Sequence, residues 1–308
     1  MNGEPGMNAK IDWIAVDWGT SRLRTWAMTG ATVVGARDSD RGMATLRSDE
    51  YELTLRKLIA DWIPSDGRIE VLVCGMAGAR SGWTEADYRA VPCPPLDAAQ
   101  AVRPKVNDPH LSVRILPGLC QFVPPDVMRG EETQIAGFLR QNPDFDGVLC
   151  LPGTHSKWVR VKGGKVDNFQ TFMAGEVFAL LSQKSVLSKT IGEVEPDTRS
   201  FDAYSAPASQ DPGRVWRDLF GLRAAALLEG VTGSQTLGRL SAMLIGAEIG
   251  AASSFWKHHP ATIIAAPALA DLYRRALETA GGKADCLDGG ELALSGLIAA
   301  HEQLRTSS

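Results

Sequence analysis

An aspartate followed by a glycine and two hydroxyl residues is the first pattern in the chain that could do chemistry. Asp17 ends an apolar run that starts at Ile11, and Gly19, Thr20 and Ser21 follow it closely. A carboxylate at the end of a buried strand is costly unless a cation or hydrogen-bond donors compensate it. Mg²⁺ is usually held by one or two carboxylates and waters, while backbone N–H and hydroxyl groups in such a turn bind phosphates. The pattern predicts a magnesium and nucleotide-phosphate site; a turn without a ligand is the alternative.

A second copy of this pattern lies in the middle of the chain, without the acid. An apolar strand-like run leads into Pro152, Gly153, Thr154 and His155, and a second strand and a glycine hairpin follow. Because Pro152 stands where an equivalent of Asp17 would lie, this copy supplies only neutral and basic groups. Two such turns facing each other across a cleft would clamp the phosphates of one nucleotide, with the metal on the side of Asp17.

The run Arg129-Gly130-Glu131-Glu132 starts a predicted helix and is the third candidate. Acids in a first helical turn commonly complement the helix dipole, which is the structural alternative. A carboxylate held there is also well placed to accept a proton from a substrate hydroxyl. Adjacent helical positions point about 100° apart, so only one of Glu131 and Glu132 is expected to face a cleft. The sequence leaves open which of them is the base.

The loop at residues 75–83 follows a predicted strand, and α/β proteins place ligands beyond strand ends. Its Gly78 would admit a ligand, Arg80 could pair with a carboxylate, and Trp83 could form a pocket wall. A glycine-rich turn with a packed tryptophan explains the loop equally well.

Two other groups of residues are candidates for binding. Arg22 and Arg129 join Arg80 as candidates for pairing with the carboxylate of a substrate. Ala266 and Ala268 join a strand to a helix, where small residues could let an adenine lie flat or could simply allow tight packing. The chain has neither a GxxxxGK[ST] pattern nor a GxGxxG that follows a strand, which removes two common nucleotide motifs.

Composition excludes several classes of protein. The 308 residues are 44% hydrophobic and 22% charged, with a net charge of −4, which argues against a nucleic-acid partner. No apolar run approaches the roughly 18 residues of a membrane helix. Five cysteines without a CxxC pair are typical of free thiols in the cytoplasm. Residues 1–10 lack the features of a signal peptide and are expected to be a disordered lead-in. The oligomeric state is not readable from the sequence.

Strands and helices alternate in two similar halves, which predicts an α/β fold with partly covered sheets. The Asn-Pro-Asp stretch that begins at Asn142 suggests a boundary between domains at 11–143 and 144–308. Residues 192–212 are rich in Pro, Ser and Asp and are expected to form an exposed loop.

Taken together, the motifs resemble those of the 2-dehydro-3-deoxygalactonokinases, in order and over nearly the whole chain. The Met-Arg-Gly-Glu-Glu-Thr-Gln and Pro-Gly-Thr-His runs are the specific ones, whereas Asp-Trp-Gly-Thr occurs in many sugar kinases. The segments that carry the resemblance are residues 14–21, 75–78, 117–120, 128–134, 152–158 and 244–248.

The resemblance implies an actin/hexokinase-like fold of two ribonuclease-H-like domains around an ATP cleft. It also implies transfer of the ATP γ-phosphoryl group to the 6-hydroxyl of 2-dehydro-3-deoxy-D-galactonate, a small sugar acid, with Mg²⁺ as cofactor. On this chain Asp17 would hold the Mg²⁺, and Gly19 and Gly153 would mark the two phosphate loops. The segment 265–268 would lie by adenosine, although it lacks the Gly and Ser or Thr that the family tends to have there.

Two other functions are compatible with the same residues. A phosphohydrolase of the same superfamily would attack with water, and its ATPase activity would not depend on a sugar acid. An actin-like or regulatory sugar-sensing module would bind ligands without turnover. A kinase for another sugar acid is also open, because a single pocket contact can change which configuration is accepted.

Overall fold

The computed structural model describes residues 10–306. The expected lead-in at residues 1–10 therefore lies outside the described residues, apart from Lys10, whose carbonyl oxygen accepts a hydrogen bond from the Thr29 hydroxyl at 2.6 Å. The chain divides into two compact units. The first holds the described residues up to 144, residues 164–166 and those from 290 onward; the second holds residues 145–163 and 167–289.

The first unit is built on a five-stranded sheet in the order β3-β2-β1-β4-β6. β1 is buried from Trp13 to Val16 because it is flanked on both sides, by β2 antiparallel and by β4 parallel. A second, three-stranded sheet has the order β5-β7-β8. The strands of this unit are β1 (Trp13–Trp18), β2 (Leu23–Thr29), β3 (Thr32–Ser39), β4 (Ile69–Gly75), β5 (Tyr88–Ala90), β6 (Leu111–Ile115), β7 (Gly118–Phe122) and β8 (Pro125–Met128).

The second unit repeats the five-stranded arrangement in the order β11-β10-β9-β12-β13. Its first strand, β9, is buried throughout and again pairs antiparallel with the next strand and parallel with a later one. The doubled pattern of the sequence therefore corresponds to two sheets of the same topology. The strands are β9 (Gly147–Leu151), β10 (Ser156–Lys162), β11 (Lys165–Phe172), β12 (Ala261–Ile264) and β13 (Ala284–Leu287).

Ten α-helices lie within residues 10–306, and none combines the length and apolar character needed to cross a membrane. Short 3-10 turns lie at Met43–Thr45, Ala60–Trp62, Met76–Gly78 and Ala98–Gln100. The helices are α1 (Tyr51–Leu58), α2 (Glu131–Gln141), α3 (Ala174–Lys184), α4 (Ser188–Ile191), α5 (Thr198–Gln210), α6 (Arg214–Leu228), α7 (Gly233–Ala251), α8 (Ser253–Trp256), α9 (Pro267–Thr279) and α10 (Gly289–Thr306).

The prediction of a loop at residues 192–212 is wrong, because most of this segment is helix α5. Asp197 caps this helix by accepting a hydrogen bond from the Ser200 N–H at 2.7 Å. The helix then packs closely on α7, where a Cβ on Gly246 would lie 2.5 Å from the Ser205 carbonyl oxygen and one on Gly250 would lie 2.1 Å from that of Ser209. Tertiary packing across these glycines outweighs the loop-like composition of the segment.

The last helix belongs to the first unit, whereas the sequence analysis grouped residues 144–308 together. Two observations explain the difference. The apolar face of α10, including Leu297 and Leu304, shares a core with Trp13 and Leu72 of the first sheet. A Cβ on Gly296 would also lie 1.9 Å from the Thr133 carbonyl oxygen of α2, so only glycine allows this approach.

Candidate active site

Asp17 lies at the end of β1, where few donors satisfy its carboxylate. Its Oδ2 is 3.8 Å from Nη1 of Arg24, its antiparallel partner, and its Oδ1 is 3.8 Å from Sγ of Cys74, its parallel partner. Burial raises the pKa of Asp17, Arg24 and Cys74 lower it, and the charge of Glu131 raises it again. A largely buried carboxylate without close donors is suited to a cation.

Two glycines bring the start of α2 to the same place. Gly75 at the end of β4 has a φ of +87°, and a Cβ there would lie 2.6 Å from the Trp18 carbonyl oxygen and 3.6 Å from Oδ1 of Asp17. Gly130, with a φ of +106°, packs on Gly75: its Cβ would lie 3.4 Å from the Gly75 Cα. L-residues rarely adopt such φ values. The backbone at the end of β4 and the start of α2 therefore lies against the end of β1.

The two glutamates at the start of α2 have different exposure. Glu132 is fully buried; its Oε2 accepts the Gly130 N–H at 2.7 Å and its Oε1 accepts the Thr133 hydroxyl at 3.1 Å. Burial, with the charge of Glu131, raises the pKa of Glu132 to about 7. Glu131 is half-buried, and its Oε2 accepts the Arg129 N–H at 3.0 Å. Of the two glutamates, only Glu131 has exposed surface.

Asp17, Glu131 and Glu132 form what we call the carboxylate corner of the first unit. The charge of Glu131 raises the pKa of both Asp17 and Glu132. A cation would relieve this repulsion. Within residues 10–306 no group of three or more His, Cys, Asp or Glu side chains is arranged to hold a metal. A metal at Asp17 would therefore take most of its ligands from water or substrate, as Mg²⁺ commonly does.

The turn after β1 is held by backbone contacts that leave its side chains exposed. The Gly19 N–H donates to the Arg22 carbonyl oxygen at 2.8 Å, and the Ala44 N–H donates to that of Thr20 at 2.9 Å. Thr20 and Ser21 are both exposed. Arg22 lies 3.6 Å from Asp38 on β3, so Arg24, two residues on, is the arginine beside Asp17.

Arg129 is a buried cation with unused donors. Its guanidinium lies 4.3 Å from the Tyr88 ring centroid, and its Nη2 donates to the Ala86 carbonyl oxygen at 2.6 Å. Its Nε and Nη1 have no hydrogen-bond partner. Gly78 makes room for this group, because a Cβ there would lie 2.7 Å from Nη1. Buried donors without a partner are costly, which makes Arg129 a candidate for binding an anionic ligand.

The other two predicted residues of the 75–83 loop lie apart from the corner's acids. Arg80 is 90% exposed and pairs with Glu85 at 3.3 Å. Trp83 is half-buried and packs on Trp18, 6.1 Å between ring centroids, and on Tyr51 at 6.2 Å. These contacts account for Trp83 as part of the core around the loop.

In the second unit, the segment Gly153–Ser156, which we call the second loop, sits on the start of α3. A Cβ on Gly175 would lie 2.2 Å from the Gly153 carbonyl oxygen, and the Glu176 N–H donates to that of Thr154 at 2.9 Å. Nε2 of His155 lies 2.5 Å from Oε2 of Glu176. A loop packed on a helix N-terminus is suited to anions, because unpaired N–H groups and the dipole favour negative charge.

A cavity of about 520 Å³ opens beside the second loop, within the second unit. Gly153 and Thr154 line one side of it. Leu237, Ser241, Leu269 and Tyr273 are among the residues that line the rest. A mainly apolar cavity of this size with a few polar groups is typical of a small-molecule site.

Comparison with known proteins decides the family. A family model described as 2-keto-3-deoxy-galactonokinase matches residues 17–300. The chain belongs to the 2-keto-3-deoxy-galactonokinase family. It is 35% identical to the "Probable 2-dehydro-3-deoxygalactonokinase" of Rhizobium meliloti over 94% of this chain and 96% of the relative. It is 30% identical to the 2-dehydro-3-deoxygalactonokinase of Escherichia coli over 87% of this chain and 90% of the relative.

Solved structures agree with this family and with the two-unit α/β fold. A crystal structure from Sinorhizobium meliloti, described with the same kinase name, has a TM-score of 0.87 and 34% identity, and covers 95% of this chain and 99% of the other. Component A of the (R)-2-hydroxyglutaryl-CoA dehydratase of Acidaminococcus fermentans, at 12% identity and a TM-score of 0.51 over 95% of this chain and 98% of the other, shares the fold alone. As a member of the galactonokinase family, the chain is a phosphotransferase with a kinase fold.

Two residues near the candidate sites have no signal in the local sequence. Glu176 and Tyr273 come from distant helices, and no local motif marks them. Ala266 and Ala268 are both exposed, and neither lines the cavity; Leu269, from the same helix, does. Adjacent positions on a helix point about 100° apart, so Leu269 faces the cavity and Ala268 does not. The local sequence does not reveal which of the two positions faces it.

Proposed function

We propose that this chain transfers the γ-phosphoryl group of ATP to the 6-hydroxyl of 2-dehydro-3-deoxy-D-galactonate, giving 2-dehydro-3-deoxy-6-phosphogalactonate and ADP. Membership of the galactonokinase family supports the reaction. The observation that carries the assignment of residues is the carboxylate corner, where Asp17 lies beside an accessible glutamate. Phosphoryl transfer requires mainly positioning and charge neutralisation, with a carboxylate to accept the hydroxyl proton.

Asp17 is the residue we assign to Mg²⁺. The fit is supported by the burial of its carboxylate, by the distance of 3.8 Å to both Arg24 and Cys74, and by the repulsion from Glu131. Bound there, Mg²⁺ would neutralise charge on the phosphate oxygens. Arg24 keeps the carboxylate partly compensated before the metal binds.

Glu131 is the residue we assign as the base. Accessibility decides between the two glutamates, because a base must come within hydrogen-bond reach of the proton that it accepts. Glu131 is half-buried and Glu132 has no exposed surface. Glu132, bonded to Gly130 and Thr133, holds the helix start that carries Glu131. A base of this kind contributes about 10²- to 10⁴-fold to the rate.

Arg129 is the residue we assign to the substrate carboxylate. Its Nε and Nη1 donors are unpaired, and the fork geometry of a guanidinium matches a carboxylate. Both nitrogens are covered in this structure, by the loop that carries Gly78 among others. The carboxylate would reach them once that loop moves. Arg80 is not needed for this role, since it is exposed and paired with Glu85.

ATP would use groups from both phosphate turns. We assign Gly19, Thr20 and Ser21 in the first unit to the phosphates, together with Gly153, Thr154 and His155 in the second. The cavity beside the second loop is the candidate adenosine site, in place of the exposed Ala266 and Ala268. We place the reaction in the cytoplasm, supported by the five cysteines, all of which are free thiols.

An assay of ADP release over a panel of 2-keto-3-deoxy sugar acids tests this function. We expect release to depend on one sugar acid and a phosphorylated product to form in equal amount. ADP release that no sugar acid changes, without phosphorylated sugar, would show a phosphohydrolase. Ligand binding without turnover would show a sensing module.

A further inference from the structure

A buried carboxylate lies behind the second loop. Glu248 on α7 is 3% exposed, and two neutral side chains donate hydrogen bonds to its carboxylate. Its Oε1 accepts the Trp158 Nε1–H at 2.9 Å, and its Oε2 accepts the Tyr273 hydroxyl at 2.9 Å. The Tyr273 oxygen lies 2.8 Å from Oγ of Ser156.

When Glu248 is ionised, the direction of each hydrogen bond in this network follows from the donors present. An indole N–H only donates, and a tyrosine hydroxyl has a single proton, which goes to Glu248. The Ser156 hydroxyl must then donate to the Tyr273 oxygen. Glu248 therefore determines how Tyr273 and Ser156 are oriented.

Every member of the network is tied to the candidate nucleotide site. Ser156 ends the second loop, and Trp158 follows it on β10. Tyr273 lines the cavity of about 520 Å³ together with Gly153 and Thr154. The network thus joins α7, α9 and the loop, three elements around one cavity.

Glu248 is costly for stability, which argues for a role beyond packing. Trp158, Ile249 and Tyr273 belong to one apolar core, where an aliphatic side chain would avoid the desolvation of a carboxylate. Burial raises the pKa of Glu248 to about 7, while Trp158, Tyr273, Ser156 and Lys157 lower it.

We propose that Glu248 is a positioning residue for ATP: through Trp158, Tyr273 and Ser156 it holds the second loop in the conformation that binds the phosphates. This role rests on the proposed function, because it assumes that the second loop contacts ATP. Glu248 is buried behind the residues that line the cavity, so we assign it a positioning role and not a catalytic one.

Two tryptophans allow a matched test. Trp158 and Trp256 are in the same core, and each donates one buried indole hydrogen bond, to Glu248 at 2.9 Å and to the Ile249 carbonyl oxygen at 2.8 Å. Only the hydrogen bond from Trp158 belongs to the network that reaches the second loop. Trp158→Phe and Trp256→Phe would be compared by calorimetric titration of the full chain with MgATP and by thermal unfolding.

We expect W158F to raise the Kd for ATP about tenfold, the effect of losing one buried hydrogen bond to a charged group. W256F should lower the Tm about as much as W158F does, but it should change the Kd for ATP less than twofold. The KM for the sugar acid should change less than twofold in both. Equal Kd values for W158F and W256F would overturn the positioning role.

Glu248→Gln provides a second, nearly isosteric variant should W158F fail to fold. Its amide must present its oxygen to Trp158 and its NH₂ group to Tyr273, which reverses the Tyr273 and Ser156 hydroxyls. We expect a rise in the ATP Kd of about tenfold here too, with the Tm nearly unchanged; a wild-type Kd would overturn the role. A wild-type chain that neither binds ATP nor phosphorylates a sugar acid would overturn the proposed function as well, which separates the two failures.

Discussion

The ends of β1 and β9 occupy equivalent places in two sheets of the same topology, yet the carboxylates near them are in opposite states: Asp17 on β1 itself and Glu248 on α7. At the end of β1, Asp17 has only a thiol and a guanidinium near it, each at 3.8 Å. Behind the loop after β9, Glu248 accepts two direct hydrogen bonds of 2.9 Å. The first carboxylate is left for a cation, and the second is saturated by donors. We infer that the supply of donors, and not the topology, separates the proposed metal ligand from the proposed positioning residue.

The test of this contrast with the largest expected effect is Asp17→Asn. We expect kcat to fall by about a thousandfold, because the uncharged side chain no longer neutralises a metal ion in phosphoryl transfer. The Tm should stay the same or rise, since burial raises the pKa of Asp17 and its charged form is disfavoured in the fold. Steady-state kinetics and thermal unfolding would be measured together. Near wild-type kcat would remove Asp17 from the metal site.

A second test separates the two glutamates of the carboxylate corner. Glu131→Gln should lower kcat by about 10²- to 10⁴-fold, as expected for loss of a base. Glu132→Gln should lower it by about tenfold, because only the helix start is disturbed. Both variants keep the size of the side chain. A larger loss in E132Q than in E131Q would assign the base to Glu132 and show that the corner opens before reaction.

How far the sequence predicts the two regions depends on how their residues are spaced. Asp17 and the Glu131/Glu132 pair were predicted because each lies in a contiguous motif next to a strand end or helix start. Glu248 and Tyr273 could not be predicted in this way. They come close to the second loop only when α7 and α9 pack on β9 and β10. Local sequence fixes the strands and turns, whereas the partners of a buried carboxylate depend on tertiary packing.

The same limit explains the errors in detail. Arg22 and Arg24 are both plausible from the sequence, and only the register of β1 with β2 places Arg24 opposite Asp17. The composition of residues 192–212 predicted a loop, but close packing across the glycines of α7 favours helix α5. The strand, turn and second strand that begin each five-stranded sheet, by contrast, were predictable because hydrophobic periodicity and turn residues are local signals.

A third test concerns Arg129, the buried guanidinium that we assign to the substrate carboxylate. Gly78→Ala would place a Cβ 2.7 Å from Nη1 of Arg129 and force the guanidinium to shift. We expect the KM for the sugar acid to rise about tenfold, the effect of weakening one charged hydrogen bond, while the KM for ATP stays unchanged. Gly221→Ala, where a Cβ would meet nothing within 4 Å, is the control. Equal rises in both KM values would show a general distortion instead of a carboxylate site.

The last test concerns stability and compares the two buried glutamates directly. Burial raises the pKa of both Glu132 and Glu248 from 4.5 to about 7. Between these values the unfolded chain has lost the proton and the folded chain retains it, so the free energy of unfolding falls as pH rises through about 7. The stability from each group is complete below pH 4.5 and amounts to roughly 3 kcal/mol at most.

Urea unfolding at pH 5.5 and 8 measures this loss in the chain without ligands. Glu132→Gln and Glu248→Gln should each reduce the pH dependence, and the double variant should reduce it most; exposed Glu229→Gln should leave it unchanged. If only E132Q reduces it, the donors around Glu248 keep that carboxylate ionised across the range. The contrast between the two regions would then be sharper, because hydrogen-bond donors together with the charge of Lys157 would hold a buried charge behind the second loop.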